Sequence, residues 1–160
     1  MNIKKKLDAY LDSYLKVEKK GIFAKAAACG SMMMDYECAD INTYIDSNKE
    51  DDTFQTYLFR LIDERNLKDS DVYNKVNVDR RLFSKIRSNE DYHPSKETII
   101  ALGLSLELNI DELLELLESA SYSLPKNNKY DLIIRFCFQE HIYNIDTVNE
   151  FLYDYGYNTL

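Results

Sequence analysis

The residues best able to do chemistry in this chain are cations spaced for one side of a helix. Lys75, Arg80, Arg81, Ser84, Lys85 and Arg87 fall within the run Lys-Val-Asn-Val-Asp-Arg-Arg-Leu-Phe-Ser-Lys-Ile-Arg. Steps of three and four bring such side chains to one face, where they can meet phosphates and base edges. Their structural reading is a solvated face balanced by Asp79 and Glu90. A second set suits contact with another protein: Met32, Met33, Met34 and Tyr36 in one segment, Tyr153, Tyr155 and Tyr157 in another. Thioethers adapt to irregular apolar surfaces, and tyrosines are enriched at interfaces. The competing readings are core filling for the methionines and packing of the last helix on its own domain for the tyrosines. A homodimer seam is the other reading of the tyrosine run.

Other reactive residues do not assemble. His93 and His141 stand far apart without metal-ligand partners at useful spacing, and Cys29 and Cys38 are too far apart for a CxxC pair. Cys137, between Phe136 and Phe138, reads as a small buried hydrophobe. There is no glycine-rich phosphate loop, no GxSxG and no HExxH. Asp111, Glu112, Glu115 and Glu118 alternate with leucines and read as a solvated helix face. The expectation is a protein that is not an enzyme and holds neither cofactor nor metal.

Composition bounds the scaffold. The chain has 160 residues, 45% hydrophobic and 30% charged, with only 4 Gly and 2 Pro. So few breakers argue against a turn-rich β-sandwich and for an all-α chain. No apolar run is long enough to span a membrane, and the lysine-bearing start lacks the apolar stretch of a signal peptide. Three cysteines at wide spacing suit a reducing compartment, so the expected location is cytoplasmic, with no membrane partner. The net charge of −8 is uneven: residues 1–20 carry six lysines against three acids, residues 21–53 two lysines against seven acids. Residues 67–93 hold six basic residues against five acids. Nucleic acid could therefore be held by a local basic face only.

The spacing of apolar residues predicts a first amphipathic helix over 2–20, with Ile3, Leu7, Tyr10, Leu11, Tyr14 and Leu15 on one stripe. Residues 21–53 lose this pattern and read as an irregular Met- and Ala-containing linker. Helices follow at 54–66 and at 69–76, where Asp69 is the expected N-cap. The next is capped by Asp79, with Leu82, Phe83 and Ile86 inward. Pro94 and Ser95 begin a helix running to Leu108, and Asn109 to Asp111 recap a fifth ending near Ala120. Two more are expected at 128–141 and 146–155. Asn77-Val78 forms a tight turn, since Asn tolerates the left-handed conformation.

Five short helices over 54–120 resemble the lambda-repressor-like helix-turn-helix domain of the Xre/Cro type. The likeness lies in L-K-D-S-D-V-Y-N-K-V-N-V-D-R-R-L-F-S-K-I-R-S-N (67–89) and P-S-K-E-T-I-I-A-L-G-L-S-L-E-L-N-I-D-E-L-L (94–114). Leu67, Val72, Val76, Val78, Phe83 and Ile86 are the apolar positions that would close two helices over a short turn. The chain is also similar to small bacterial proteins that carry such a domain with a helical tail, and to tails that accompany ADP-ribose-binding macro domains. The resemblance implies an all-α bundle of about five helices with an N-terminal helix and a two-helix extension over 121–160. It implies double-stranded DNA as partner, with Arg80, Arg81, Ser84 and Lys85 reading bases and Lys75 and Arg87 on phosphates. An arginine on such a helix discriminates guanine by roughly 1–3 kcal/mol. The chain departs from the family at Asp69 and Asp71, near a common glutamine, at Tyr73 in place of a small alanine, and at Asn77 in place of glycine. A carboxylate facing phosphate is repelled. These departures suit the other expectation, a protein-interaction adaptor on the same fold, in a bacterial stress or phage-defence cassette.

Overall fold

Short polar residues placed just before apolar runs set most of the helix starts. The structure, a computed structural model, describes residues 3–17 and 53–160. Among these residues every regular element is helical: α1 (Ile3–Val17), α2 (Phe54–Glu64), α3 (Asp69–Lys75), α4 (Arg80–Ser88), α5 (Lys96–Ser105), α6 (Ile110–Ser119), α7 (Lys129–Gln139) and α8 (Ile145–Asp154). The predicted linker 21–53, with its Met32, Met33, Met34 and Tyr36, lies outside the described residues apart from Thr53. Thr53, Asp79, Ser95, Asn128 and Asn144 each accept a backbone N–H of the first turn that follows. Asn109 goes further and forms a reciprocal capping box with Glu112.

Asp69 departs from its expected role. Lys68 holds the cap position of α3 without a side-chain bond, and Asp69 is the first helical residue. Its carboxylate is engaged elsewhere, by Arg87 of α4.

Six of the described helices, all but α1 and α4, end in one device. Asn66, Asn77, Glu107, Ser121, His141 and Gly156 have positive φ, between 52° and 77°. Behind each, the next N–H reaches back five residues: Leu67 to Ile62, Val78 to Tyr73, Leu108 to Gly103, Tyr122 to Leu117, Ile142 to Cys137, Tyr157 to Leu152. These are Schellman closures, and the apolar residue that follows each left-handed one is the usual companion of the motif. They stop α5 and α7 short of the predicted ends at Leu108 and His141.

Buried residues from all of these helices belong to one hydrophobic cluster. α5 lies at its centre, with Ile99 through Leu106 all buried, and it packs on α3 and α6. α6 also meets α2 and α7, while α7 carries α1 and α8. Gly103 lets α5 approach closely, since a Cβ there would stand 2.8 Å from Leu113 Cδ1. Two polar contacts fix the layers. The Ser105 hydroxyl donates to the Val72 carbonyl at 2.6 Å, and Lys96 pairs with the buried Asp131 at 2.6 Å.

Candidate nucleic-acid interface

α4 is anchored by its inner face. Phe83 and Ile86 are buried, and Leu82, expected inward with them, is half-buried. Phe83 packs edge-on against Phe59 of α2, ring centroids 5.9 Å apart, and tilted against Tyr73 of α3 at 5.6 Å. Tyr73 thus occupies the crossing of α3 and α4 with a half-buried ring. Leu67, expected to help close this junction, is 37% exposed and serves the end of α2 instead.

The outer face of α4 carries two stripes. Arg80, Ser84 and Arg87 lie on one, at steps of four and three; with Lys68, Ser70 and Tyr73 they line a groove of about 390 Å3. Arg81 and Lys85 lie on the other, and Lys85 Nζ stands 4.3 Å above the Tyr92 ring. All five α4 residues are exposed. The guanidinium groups of Arg80 and Arg81 make no ion pair among the described residues. Asp79, the nearest acid in sequence, has its Oδ1 committed to the Arg81 N–H at 2.6 Å.

Two of the expected cations are otherwise engaged. Arg87 donates to Asp69 Oδ1 at 2.6 Å, and its guanidinium lies 4.0 Å over the Phe59 ring. Its carbonyl accepts from Gln55 of α2. Lys75 sits apart from the α4 stripes. Its Nζ donates to the Ser105 carbonyl at 3.2 Å and to Glu107 at 2.5 Å, in a separate pocket with Arg65 and Asp71. Lys68 and Ser70 were missed by sequence reasoning; their place at the cap and in the first turn of α3, the partner helix of α4, was the available signal.

The C-terminal tyrosines divide. Tyr153 is 76% exposed on α8. Tyr155 donates to Asp8 of α1, and burial with that carboxylate pushes its hydroxyl up to about 12. Tyr157 meets the Tyr130 ring edge-on at 5.7 Å. The two histidines stay apart: His93 is exposed, and His141 Nδ1 shares a hydrogen bond with the Tyr143 hydroxyl at 2.9 Å. Cys137 is buried, and burial pushes its thiol up to about 12.

No helix among the described residues is long and apolar enough to cross a membrane. Comparison of this chain with family models, with curated proteins and with solved structures finds no match.

Proposed function

We propose that this protein is a non-enzymatic, helix-turn-helix DNA-binding regulator of transcription, with α3 and α4 as the paired helices and α4 entering the major groove. The observation that carries this reading is the pair Arg80 and Arg81. They stand exposed in the first turn of a helix whose opposite face is locked into the core, and no carboxylate among the described residues pairs with them. A guanidinium fork held on a rigid helix suits bidentate contact with guanine or phosphate. Ser84 and Lys85 extend the same surface by one turn. The Asp69 carboxylate, which would repel a phosphate, is balanced by Arg87.

The test is a salt titration of binding to a pooled duplex, by fluorescence anisotropy from about 50 to 200 mM salt. Wild-type affinity is expected to fall steeply with salt. Arg80→Ala with Arg81→Ala should reduce the log–log slope by about two and leave the melting temperature unchanged. A wild-type chain that ignores pooled DNA at the lowest salt, or a double variant with the original slope, removes the reading.

The adaptor reading, a protein partner docked on a repurposed fold, draws on Tyr153, whose ring projects from α8. Tyr155 and Tyr157 give it no support, since both face their own chain.

A further inference from the structure

Where α2, α3 and α5 meet, an open cleft of about 410 Å3 is lined by Arg65, Leu67, Asp71, Lys75, Leu106 and Glu107. It shares no lining residue with the groove beside α4. Its volume falls within the range of small-molecule sites. Leu67 gives it an apolar wall. That side chain is 37% exposed, and the other large apolar groups so open to solvent among the described residues are Ile3 and Tyr153. Leu106, itself buried, lines the same cleft from within.

The charges around this apolar wall do not balance. Arg65 pairs with Glu112 at 2.7 Å and Lys75 with Glu107 at 2.5 Å. Asp71 and Lys75 stand four residues apart on α3, acid first, the order that ordinarily forms an ion pair along a helix. That pair does not form. Lys75 turns to the end of α5 instead, where its Nζ also donates to the Ser105 carbonyl at 3.2 Å. Asp71 keeps one long contact, from the Ser70 hydroxyl at 3.4 Å, and pairs with no cation among the described residues. Asp71, Glu107 and Glu112 thus face two cations, and the C-terminal carbonyls of α5 add negative character. The Tyr143 hydroxyl reports the same field: burial pushes it up first, then Glu107 and Glu112, against an opposing pull from Arg65.

We propose that this cleft binds a small organic cation, a primary ammonium on a branched apolar stem. The ammonium donates to Asp71 and to the Glu107 oxygen that Lys75 leaves open, while the stem covers Leu67. Such a ligand supplies the cation that Lys75 withholds from Asp71, and it takes the exposed part of Leu67 out of water. An anion would be repelled by the uncompensated carboxylate, and a neutral head would leave that carboxylate unpaired. The bound cation joins α3 to the end of α5, whether or not α4 enters DNA.

The probe is isopentylamine, titrated into the isotope-labelled full chain and followed by the backbone amide resonances of Asp71, Lys75 and Leu106. Saturable shifts confined to the cleft are expected, on the order of millimolar, as suits a ligand of so few atoms. Isovalerate and isopentyl alcohol carry the same stem with an anionic or a neutral head, and both should bind more weakly. Leucine is the same amine with a carboxylate added, and it should also bind more weakly. Asp71→Asn should weaken the amine by about fivefold, the upper end for an exposed ion pair. Leu67→Ala should weaken it by about threefold through the lost apolar contact. Asp146→Asn, which removes an exposed acid of α8, should change nothing. Resonances away from the cleft report that each variant keeps its fold. No shifts up to about 20 mM amine, or shifts spread over the acidic surface, overturn the proposal. An unchanged affinity in Asp71→Asn does the same. Leucine or isovalerate binding as tightly as the amine overturns the assigned class of ligand. DNA binding does not enter this readout, so loss of the DNA reading leaves the test standing.

Discussion

Arg87 of α4 donates to Asp69 of α3 at 2.6 Å while its guanidinium covers the Phe59 ring of α2 at 4.0 Å. One side chain thereby joins three helices around the turn. Both charged groups are at least a third exposed, so solvent screens the pair. An exposed pair of this kind contributes at most about 1 kcal/mol, and the ring contact about 0.5–1 kcal/mol. Arg87→Ala is expected to lower unfolding stability by about 1 kcal/mol in urea denaturation. A cycle with Asp69→Asn should show a coupling of a few tenths of a kcal/mol or more. Strict additivity of the two substitutions would count against the linkage.

Lys96 and Asp131 make a different kind of pair. Asp131 is 1% exposed, and it accepts from Lys96 Nζ at 2.6 Å and from the Asn128 amide. Lys96→Met leaves that carboxylate buried without its cation, which is expected to cost about 3–5 kcal/mol. Adding Asp131→Leu to Lys96→Met should recover most of the loss, because the uncompensated charge goes with it. Urea unfolding of the two variants checks this. A cost below about 1 kcal/mol for Lys96→Met would show that water reaches Asp131.

Alkali should destabilise the fold through its tyrosines. Burial raises Tyr10, and burial with Asp8 raises Tyr155, both to about 12; Tyr57 and Tyr130 are pushed higher still, chiefly by burial. In the unfolded chain a tyrosine titrates near pH 10. Below pH 10 both states hold the proton and the native contribution is intact. From pH 10 to 12 the unfolded state releases it while the native state keeps it, so stability falls as pH rises. Ultraviolet titration of the 13 tyrosines should show one class near pH 10 and a second that ionises only on unfolding. Uniform titration near pH 10 with the helical signal unchanged contradicts this.

Helix starts were legible where chemistry is local. Asp79, Ser95 and Asn109 cap because a short polar side chain reaches the N–H groups just ahead of it. Asp69 has the same local signature and does not cap, since Arg87, eighteen residues on, takes its carboxylate. Helix ends were less legible. Glu107 is not a residue that favours positive φ, and the cue lay one position later, in apolar Leu108. The α4 cations could be read from helical spacing, because Phe83 and Ile86 fix which side faces out. That Lys75 belongs to Glu107 could not, because the partner lies 32 residues away, just past the C-terminal end of α5.

Gly103 sets the distance between α5 and α6, and substitution there tests how tightly the centre is packed. Alanine would raise helix propensity by about 1 kcal/mol over glycine. Against that, the new Cβ would stand 2.8 Å from Leu113 Cδ1 and 3.4 Å from Phe138 Cζ. Leu113 and Phe138 are both buried, so a displaced methyl has no open space to enter. Overpacking of this kind costs about 1–3 kcal/mol, so the net effect of Gly103→Ala is a loss of about 1 kcal/mol. Leu113→Val withdraws the colliding atom, and the pair Gly103→Ala with Leu113→Val should be more stable than the two single changes predict by addition. Thermal melts of all three variants decide it. A raised midpoint for Gly103→Ala alone would mean that Leu113 moves aside without loss, and that helix propensity outweighs close approach at this crossing.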